Sequence, residues 1–225
     1  MSENHRRPIA ARELKLSHRV ASALAKAGLS ANSISVMSAI FGIGAGLCFW
    51  STGFSAPSGA QQSWLWIAGA LLIFLRLLAN MFDGMVAIAT ATSSAVGELY
   101  NELPDRISDS AILLGIGYAA GGSPTLGYLA ALIAVGTAYV RAVGKGAGAH
   151  SDFSGPMAKQ QRMAVLIALS LLMSFTPNLS LAGYGLPTWS LGLISALGAL
   201  TIARRTVNIA RALGKQALAK GENNG

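Results

Sequence analysis

Cysteine occurs once in this chain, at Cys48. A disulfide framework and a cysteine metal site are both excluded, and the thiol, set inside an apolar run, is expected to be buried and inert. Charge is nearly as scarce. Only 12% of the 225 residues are Asp, Glu, Lys or Arg, against about 25% in ordinary soluble domains, which excludes a water-facing surface of the usual kind. Three stretches, near residues 52 to 62, 121 to 124 and 176 to 187, hold no Lys or Arg at all. No internal repeat stands out. The first apolar run does not read as a cleavable leader, because a long polar and charged segment precedes it.

What is abundant is apolar: 52% of the residues are hydrophobic and the mean hydropathy is +0.50. Six long apolar runs lie at about Ser33 to Ser51, Ser63 to Phe82, Ile107 to Ala120, Thr125 to Val143, Met163 to Phe175 and Thr188 to Ala203. Several are shorter than the roughly 20 residues needed to cross hydrocarbon, so they are expected to extend into their polar flanks. The fold class expected is an all-α membrane protein with six transmembrane helices. The net charge of +8 could suit nucleic acid, but its distribution excludes that partner. Arg6, Arg7, Arg12, Lys15, Arg19 and Lys26 precede the first run; Arg141, Lys145, Lys159 and Arg162 bracket the loop after the fourth; Arg204, Arg205, Arg211, Lys215 and Lys220 follow the sixth. Cations gathered on alternate connections read as the positive-inside rule, with both termini in the cytoplasm. The partner is the lipid bilayer, and the basic face meets anionic headgroups and substrates.

The chain divides into a cytoplasmic segment 1–32, a six-helix domain 33–213 and a flexible cytoplasmic tail 214–225. Within residues 10–27, Arg12, Lys15, Arg19 and Lys26 share one helical face and Leu16, Val20 and Leu24 another, the pattern of an amphipathic helix lying in the headgroup region. The alternative is that this helix packs on protein. In the first run, Gly42 and Gly46 form a G-x-x-x-G, suited to a close helix contact inside the chain or across a homodimer.

Charge inside the apolar pattern is the strongest signal. At a bilayer centre a charged residue costs about 2.5 to 3.5 kcal/mol on insertion scales. Yet Arg76, Asp83, Glu98, Glu102, Asp105, Arg106 and Asp109 border two of the runs. At about 100° per residue, Arg76, Asn80, Asp83 and Ala87 fall within a strip roughly 60° wide. On the next helix Glu98, Asn101, Glu102, Asp105 and Asp109 fall within about 100°. Two acidic stripes on adjacent helices suit a hard cation such as Mg²⁺ or Mn²⁺, which takes carboxylate and carbonyl oxygens and relieves repulsion among the carboxylates. Pro104 cannot donate to the carbonyl of Tyr100, which leaves that oxygen as a further ligand or marks a kink.

Asp83-Gly84, Ala87, Gly97 and Asp105 stand at the spacing D-G-x-x-A-(x9)-G-(x7)-D. This resembles the signature of the CDP-alcohol phosphatidyltransferases, D-x-x-D-G-x-x-A-R-(x8)-G-x-x-x-D-x-x-x-D. Asn80 and Asn101 stand where the family has its first and third Asp, and Ile88 where it has Arg. "GLSANSIS", containing Asn32, is similar to the family's T-P-N-x-I-S segment. The resemblance implies displacement of CMP from CDP-diacylglycerol by an alcohol hydroxyl in phospholipid synthesis, with the active site on the cytoplasmic side of a bacterial inner membrane. It implies Asp83, Asn80, Asn101 and Asp105 as metal ligands, Asp105 also as catalytic base, and Gly84, Ala87, Gly97 and Asn32 around the CDP moiety. Each Asp-to-Asn change keeps a carbonyl oxygen but removes a charge, and Glu98 and Glu102 are candidates to restore two. Arg141, Lys145, Lys159 and Arg162 are candidates to hold a phosphate on acceptor or donor, or else anchor topology. The competing classes are a catalytically impaired nucleotide-lipid binder, favoured by the substitutions at positions 80, 88 and 101, and a small transporter.

Overall fold

The computed structural model describes residues 15–54, 58–90, 95–177 and 179–222. Helix α1 spans Lys15–Lys26, α2 Ala31–Phe54, α3 Gly59–Ala89, α4 Ala95–Tyr118, α5 Pro124–Gly146, α6 Lys159–Phe175 and α7 Leu186–Glu222. Before α7 a two-stranded antiparallel hairpin pairs Ser180–Leu181 (β1) with Tyr184–Gly185 (β2). Local sequence explains several of the boundaries. Ser58 and Gln61 form a capping box ahead of α3, and Ser123 accepts from Leu126 N ahead of Pro124 in the first turn of α5. The hairpin turn needs positive φ at Ala182 (50°) and Gly183 (81°); glycine supplies it without strain at 183, while Ala182 adopts the left-handed region that side chains disfavour.

Helix α2 is the centre of the packing, lying against α3 and α4; α3 also meets α6, and α5 fills the space between α4 and α7. Phe49, Trp66, Ile73, Ile112, Leu113, Ile116, Met163, Leu166 and Leu191 form the main core. A smaller cluster joins Ala21 of α1 to Ala79, Met81 and Met85 of α3, so α1 is held on protein by that face while Leu16 is exposed. Gly42 and Gly46 are spent inside the chain: a Cβ on either would collide with Ser108 or Ala111 of α4. On the outside, Trp64, Leu71, Phe74, Leu132, Tyr139, Leu171, Phe175, Leu193 and Leu200 are exposed on α3, α5, α6 and α7. An apolar belt of this extent is a lipid-facing surface.

Among the described residues, α2, α3, α5 and the Leu186–Leu218 part of α7 are long and apolar enough to cross a membrane. The other two expected spans fall short for plain reasons. Helix α4 carries Glu98, Glu102, Asp105, Arg106 and Asp109 between its start and its middle turns, and α6 has 17 residues. The chain is thus a helical membrane protein with four spans marked by length and composition. Two boundaries differ from expectation. Helix α4 begins at Ala95, well ahead of its apolar run, and α7 continues to Glu222, through most of the segment expected to be a flexible tail.

Candidate active site

Helices α2, α4 and α6 begin, and α3 and α5 end, at the same end of the bundle, and the charges converge there. The strip on α3 forms as the helical rotation dictates. Arg76 is fully buried, Asp83 is buried and Asn80 half-buried. Helix α2 meets this strip with two serines. Ser35 Oγ donates to Asp83 Oδ2 at 2.8 Å, and Ser38 Oγ donates to Asn80 Oδ1 at 2.5 Å. Gly84 N donates to Asp83 Oδ1.

Helix α4 supplies Asp105 and Asp109, and α6 supplies Lys159 and Arg162. Asp105 Oδ1 accepts from Asn80 Nδ2 at 2.6 Å and from Lys159 Nζ at 2.5 Å, with Arg76 Nη2 at 3.4 Å. Its Oδ2 meets Arg106 at 3.5 Å. One turn deeper, Asp109 takes Arg76 on Oδ1 at 2.5 Å and Arg162 on Oδ2 at 2.6 Å. This buried Arg–Asp–Arg clamp explains how two arginines are tolerated inside the helix bundle: each has a carboxylate oxygen at hydrogen-bond distance. It leaves Arg76 Nε and Nη1 and Arg162 Nε buried without a partner among the described residues.

The remaining predicted residues arrange around this centre. Asn32 is half-buried one turn before Ser35, Gly84 and Ala87 follow Asp83 on α3, and Gly97 is half-buried near the start of α4. Asn101 is exposed one turn before Asp105. Glu102 pairs with Arg141 of α5 at 2.5 Å and with Arg106 at 3.5 Å, and Arg141 lies over the Phe153 ring. Lys145 is half-buried on the last turn of α5. The side chain of Glu98 lies outside the described residues. Arg162, a candidate for a phosphate or for anchoring topology, pairs with Asp109 and is 2% exposed. Ser35, Ser38 and the clamp role of Asp109 were not foreseen. Ser35, Ser38 and Gly42 recur at helical spacing on one face of the first apolar run, which was the available signal.

The loop between α5 and α6 sets where Lys159 starts. Arg205 of α7 donates to Ser154 O and Thr137 O, both at 2.9 Å, and Met157 N donates to Thr201 Oγ1 at 3.0 Å. Asp152 accepts from Ser154 N and Asn208 Nδ2. Partial burial alone would raise its carboxyl, but these hydrogen bonds outweigh it and hold the group below the ordinary carboxylate range.

The arrangement brings carboxylate and amide oxygens of α3 and α4 together with the cations of α3 and α6. Among the described residues no three of His, Cys, Asp and Glu gather as a metal-binding group. Asp83 and Asp105 supply carboxylate oxygens, and Asn80 and Asn101 carry amide oxygens, donor types that suit Mg²⁺ or Mn²⁺; the Asn80 amide oxygen accepts from Ser38, and Asn101 is exposed.

Residues 29–215 match the family model described as CDP-alcohol phosphatidyltransferase, and the chain belongs to that family. It is 33% identical over 163 residues to the archaetidylinositol phosphate synthase of Aeropyrum pernix, covering 69% of this chain and 77% of that one. It is 25% identical over 160 residues to the phosphatidylinositol phosphate synthase of Mycobacteroides abscessus, covering 68% and 67%. The fold is similar to that of the Mycobacterium tuberculosis phosphatidylinositol phosphate synthase. The TM-score is 0.70 for the form with CDP-DAG bound, at 16% identity over 87% of this chain and 94% of that one. It is 0.69 for the complex with manganese and citrate, at 16% identity over 86% and 88%. The motif built on Asp83, Gly84, Ala87, Gly97 and Asp105 therefore identified the family correctly.

Proposed function

We propose that this protein transfers a phosphatidyl group from CDP-diacylglycerol to the hydroxyl of an alcohol that itself carries a phosphate, releasing CMP, with a divalent cation in the site. The observation that carries this reading is the meeting of Asp83, Asn80 and Asp105 at one end of a membrane bundle, with Lys159 on Asp105 and Arg141 on the neighbouring Glu102. The names of the relatives, which specify an inositol phosphate in the product, support a phosphorylated acceptor.

Asp83, Asp105, Asn80 and Asn101, with Glu98 as a further donor, would hold Mg²⁺ or Mn²⁺, whose charge offsets the diphosphate and the leaving CMP. The acceptor oxygen forms a bond to the phosphatidyl phosphorus as the bridging P–O bond to CMP breaks. Asp105 takes the hydroxyl proton. Its Oδ1 accepts from Asn80 and Lys159 with Arg76 at 3.4 Å, whereas Oδ2 meets Arg106 at 3.5 Å, so Oδ2, the less occupied oxygen, is the one that receives it. Gly84, Ala87 and Gly97 leave room for the nucleotide, and Asn32 sits beside Ser35 at its edge. Arg141, Lys145 and Lys159 orient the phosphate of the acceptor. Six helices cross the membrane, with α1 along the cytoplasmic headgroups and both termini cytoplasmic. Helices α4 and α6 cross because their charged ends are sealed by protein.

The purified protein with CDP-diacylglycerol, Mn²⁺ and inositol phosphate should release CMP. No release with any phosphorylated or free alcohol, beside an active relative as control, contradicts the reading. If Asn80→Asp and Asn101→Asp together create activity absent from the wild type, the natural chain is instead a nucleotide-lipid binder.

A further inference from the structure

Lys159 is the first residue of α6, an unfavourable position for a cation, since the unpaired N–H groups of a helix start already carry partial positive charge. Its ammonium is held there by Asp105 Oδ1 at 2.5 Å. The same oxygen accepts from Asn80 and meets Arg76. Arg76 and Arg162 are fixed, 0% and 2% exposed and clamped on opposite oxygens of Asp109. Lys159 differs from both. Its side chain is 19% exposed and ends on a flexible four-carbon stem.

Charge balance gives this pair a consequence. Lys159, Arg76 and Arg162 stand against Asp83, Asp105 and Asp109, and Arg106, at 3.5 Å from Asp105 Oδ2, is shared with Glu102, so each carboxylate of the pair Asp105–Asp109 already has its counter-charge. A dication that takes Asp105 and Asp83 would add two charges beside the ammonium and compete with it for Oδ1. Of the two cations on Oδ1, Lys159 is the one that can yield, because Arg76 is fully buried and moving it would strip Asp109 of one of its two buried partners, while Arg106 lies on the other oxygen, Oδ2.

Resting on the reading that this site takes a divalent cation, we propose that Lys159 is a displaceable counter-ion. It holds Asp105 until Mg²⁺ or Mn²⁺ takes that oxygen, and its release frees the ammonium for the phosphate of the acceptor. Metal entry and acceptor readiness are then one event. Lys159 acts as a positioning residue toward the metal and a binding residue toward the acceptor.

The test uses Mn²⁺ alone, read by electron paramagnetic resonance on the full-length protein in detergent. Lys159→Met should bind Mn²⁺ more tightly than wild type by about tenfold, corresponding to about 1.4 kcal/mol. Arg211→Gln, which removes the same charge from an exposed position on α7, should leave the affinity unchanged, and Lys159→Arg should return it toward the wild-type value. A second readout needs no variant. Adding Mn²⁺ to wild type should raise acylation of Lys159, measured by mass spectrometry, while Lys15 stays constant. Equal or weaker Mn²⁺ binding by Lys159→Met, or a Lys159 reactivity that Mn²⁺ does not raise, overturns the proposal and leaves the metal reading standing. Failure of both proteins to bind Mn²⁺ overturns the metal reading itself, and the counter-ion with it.

Discussion

At the residue scale, the account rests on which charge answers which. Asp83 has hydrogen-bond donors from Ser35 and Gly84 and no ion pair with either arginine of the clamp, which leaves it as a ready carboxylate for a dication. Asp83→Asn should therefore abolish metal-dependent CMP release while the protein still folds; retained activity at ordinary Mn²⁺ would remove Asp83 from the ligand set. Asp109 has the opposite role. With both oxygens committed to buried guanidinium groups, Asp109→Asn strands two charges and should cost about 3 to 5 kcal/mol of stability. A fluorescence melting curve in detergent checks this, and an unchanged midpoint would mean that water, not Asp109, stabilises the arginines. Glu102 was expected to restore charge toward the metal, yet it engages Arg141. Glu102→Gln should accordingly shift the apparent KM for the acceptor more than the Mn²⁺ requirement, and titrating each separately decides between the two roles.

At the element scale, two contacts fix the site. The first is the α2–α4 seam, where Gly46 and Gly115 approach backbone to backbone and Gly42 admits Ser108. Gly46→Leu should overpack the seam at a cost of about 1 to 3 kcal/mol or more, whereas Gly214→Ala, in open space on α7, should cost nothing. Comparable loss in both would refute the seam. The second is the α5–α6 loop, tied to α7 by Arg205 and by the Asp152–Asn208 bond. Asp152 is held below its ordinary range in the fold, so its contribution is present above the unfolded value of about 4. It is lost as pH falls through the lower folded value. Asp152→Asn should remove that part of the acid sensitivity of α6 docking, measured by hydrogen exchange over 147–158. Hydropathy made the apolar centres of these helices legible in the sequence, but not their polar ends. The first turns of α4 are charged and score as loop. The end of α7, "RALGKQALAK", is built from helix formers with no apolar stripe long enough to betray it.

At the scale of the whole molecule, the cations were legible as one face and the strip Arg76–Asn80–Asp83 as one helix stripe, because both follow from order along the chain and helical rotation. The pairs Lys159–Asp105 and Arg162–Asp109 were not, because they join residues 54 and 53 positions apart. Nothing local separates an anchor, a phosphate ligand and a counter-ion among four basic residues. The proposed orientation is checkable by labelling single cysteines in a Cys48→Ser background. Ser123→Cys should react from outside and Ser151→Cys from inside, and reaction of both from one side would break the topology. The central claim is transfer from a CDP-linked lipid to a phosphorylated alcohol, and its most direct measurement is CMP release by the purified protein in Mn²⁺ with CDP-diacylglycerol. Inositol phosphate and unphosphorylated inositol serve as parallel acceptors, for wild type and Lys159→Met. The account predicts release that depends on Mn²⁺, prefers the phosphorylated acceptor, and loses that preference when Lys159 is removed. Equal turnover of both acceptors by wild type, or release that persists without a divalent cation, would contradict it.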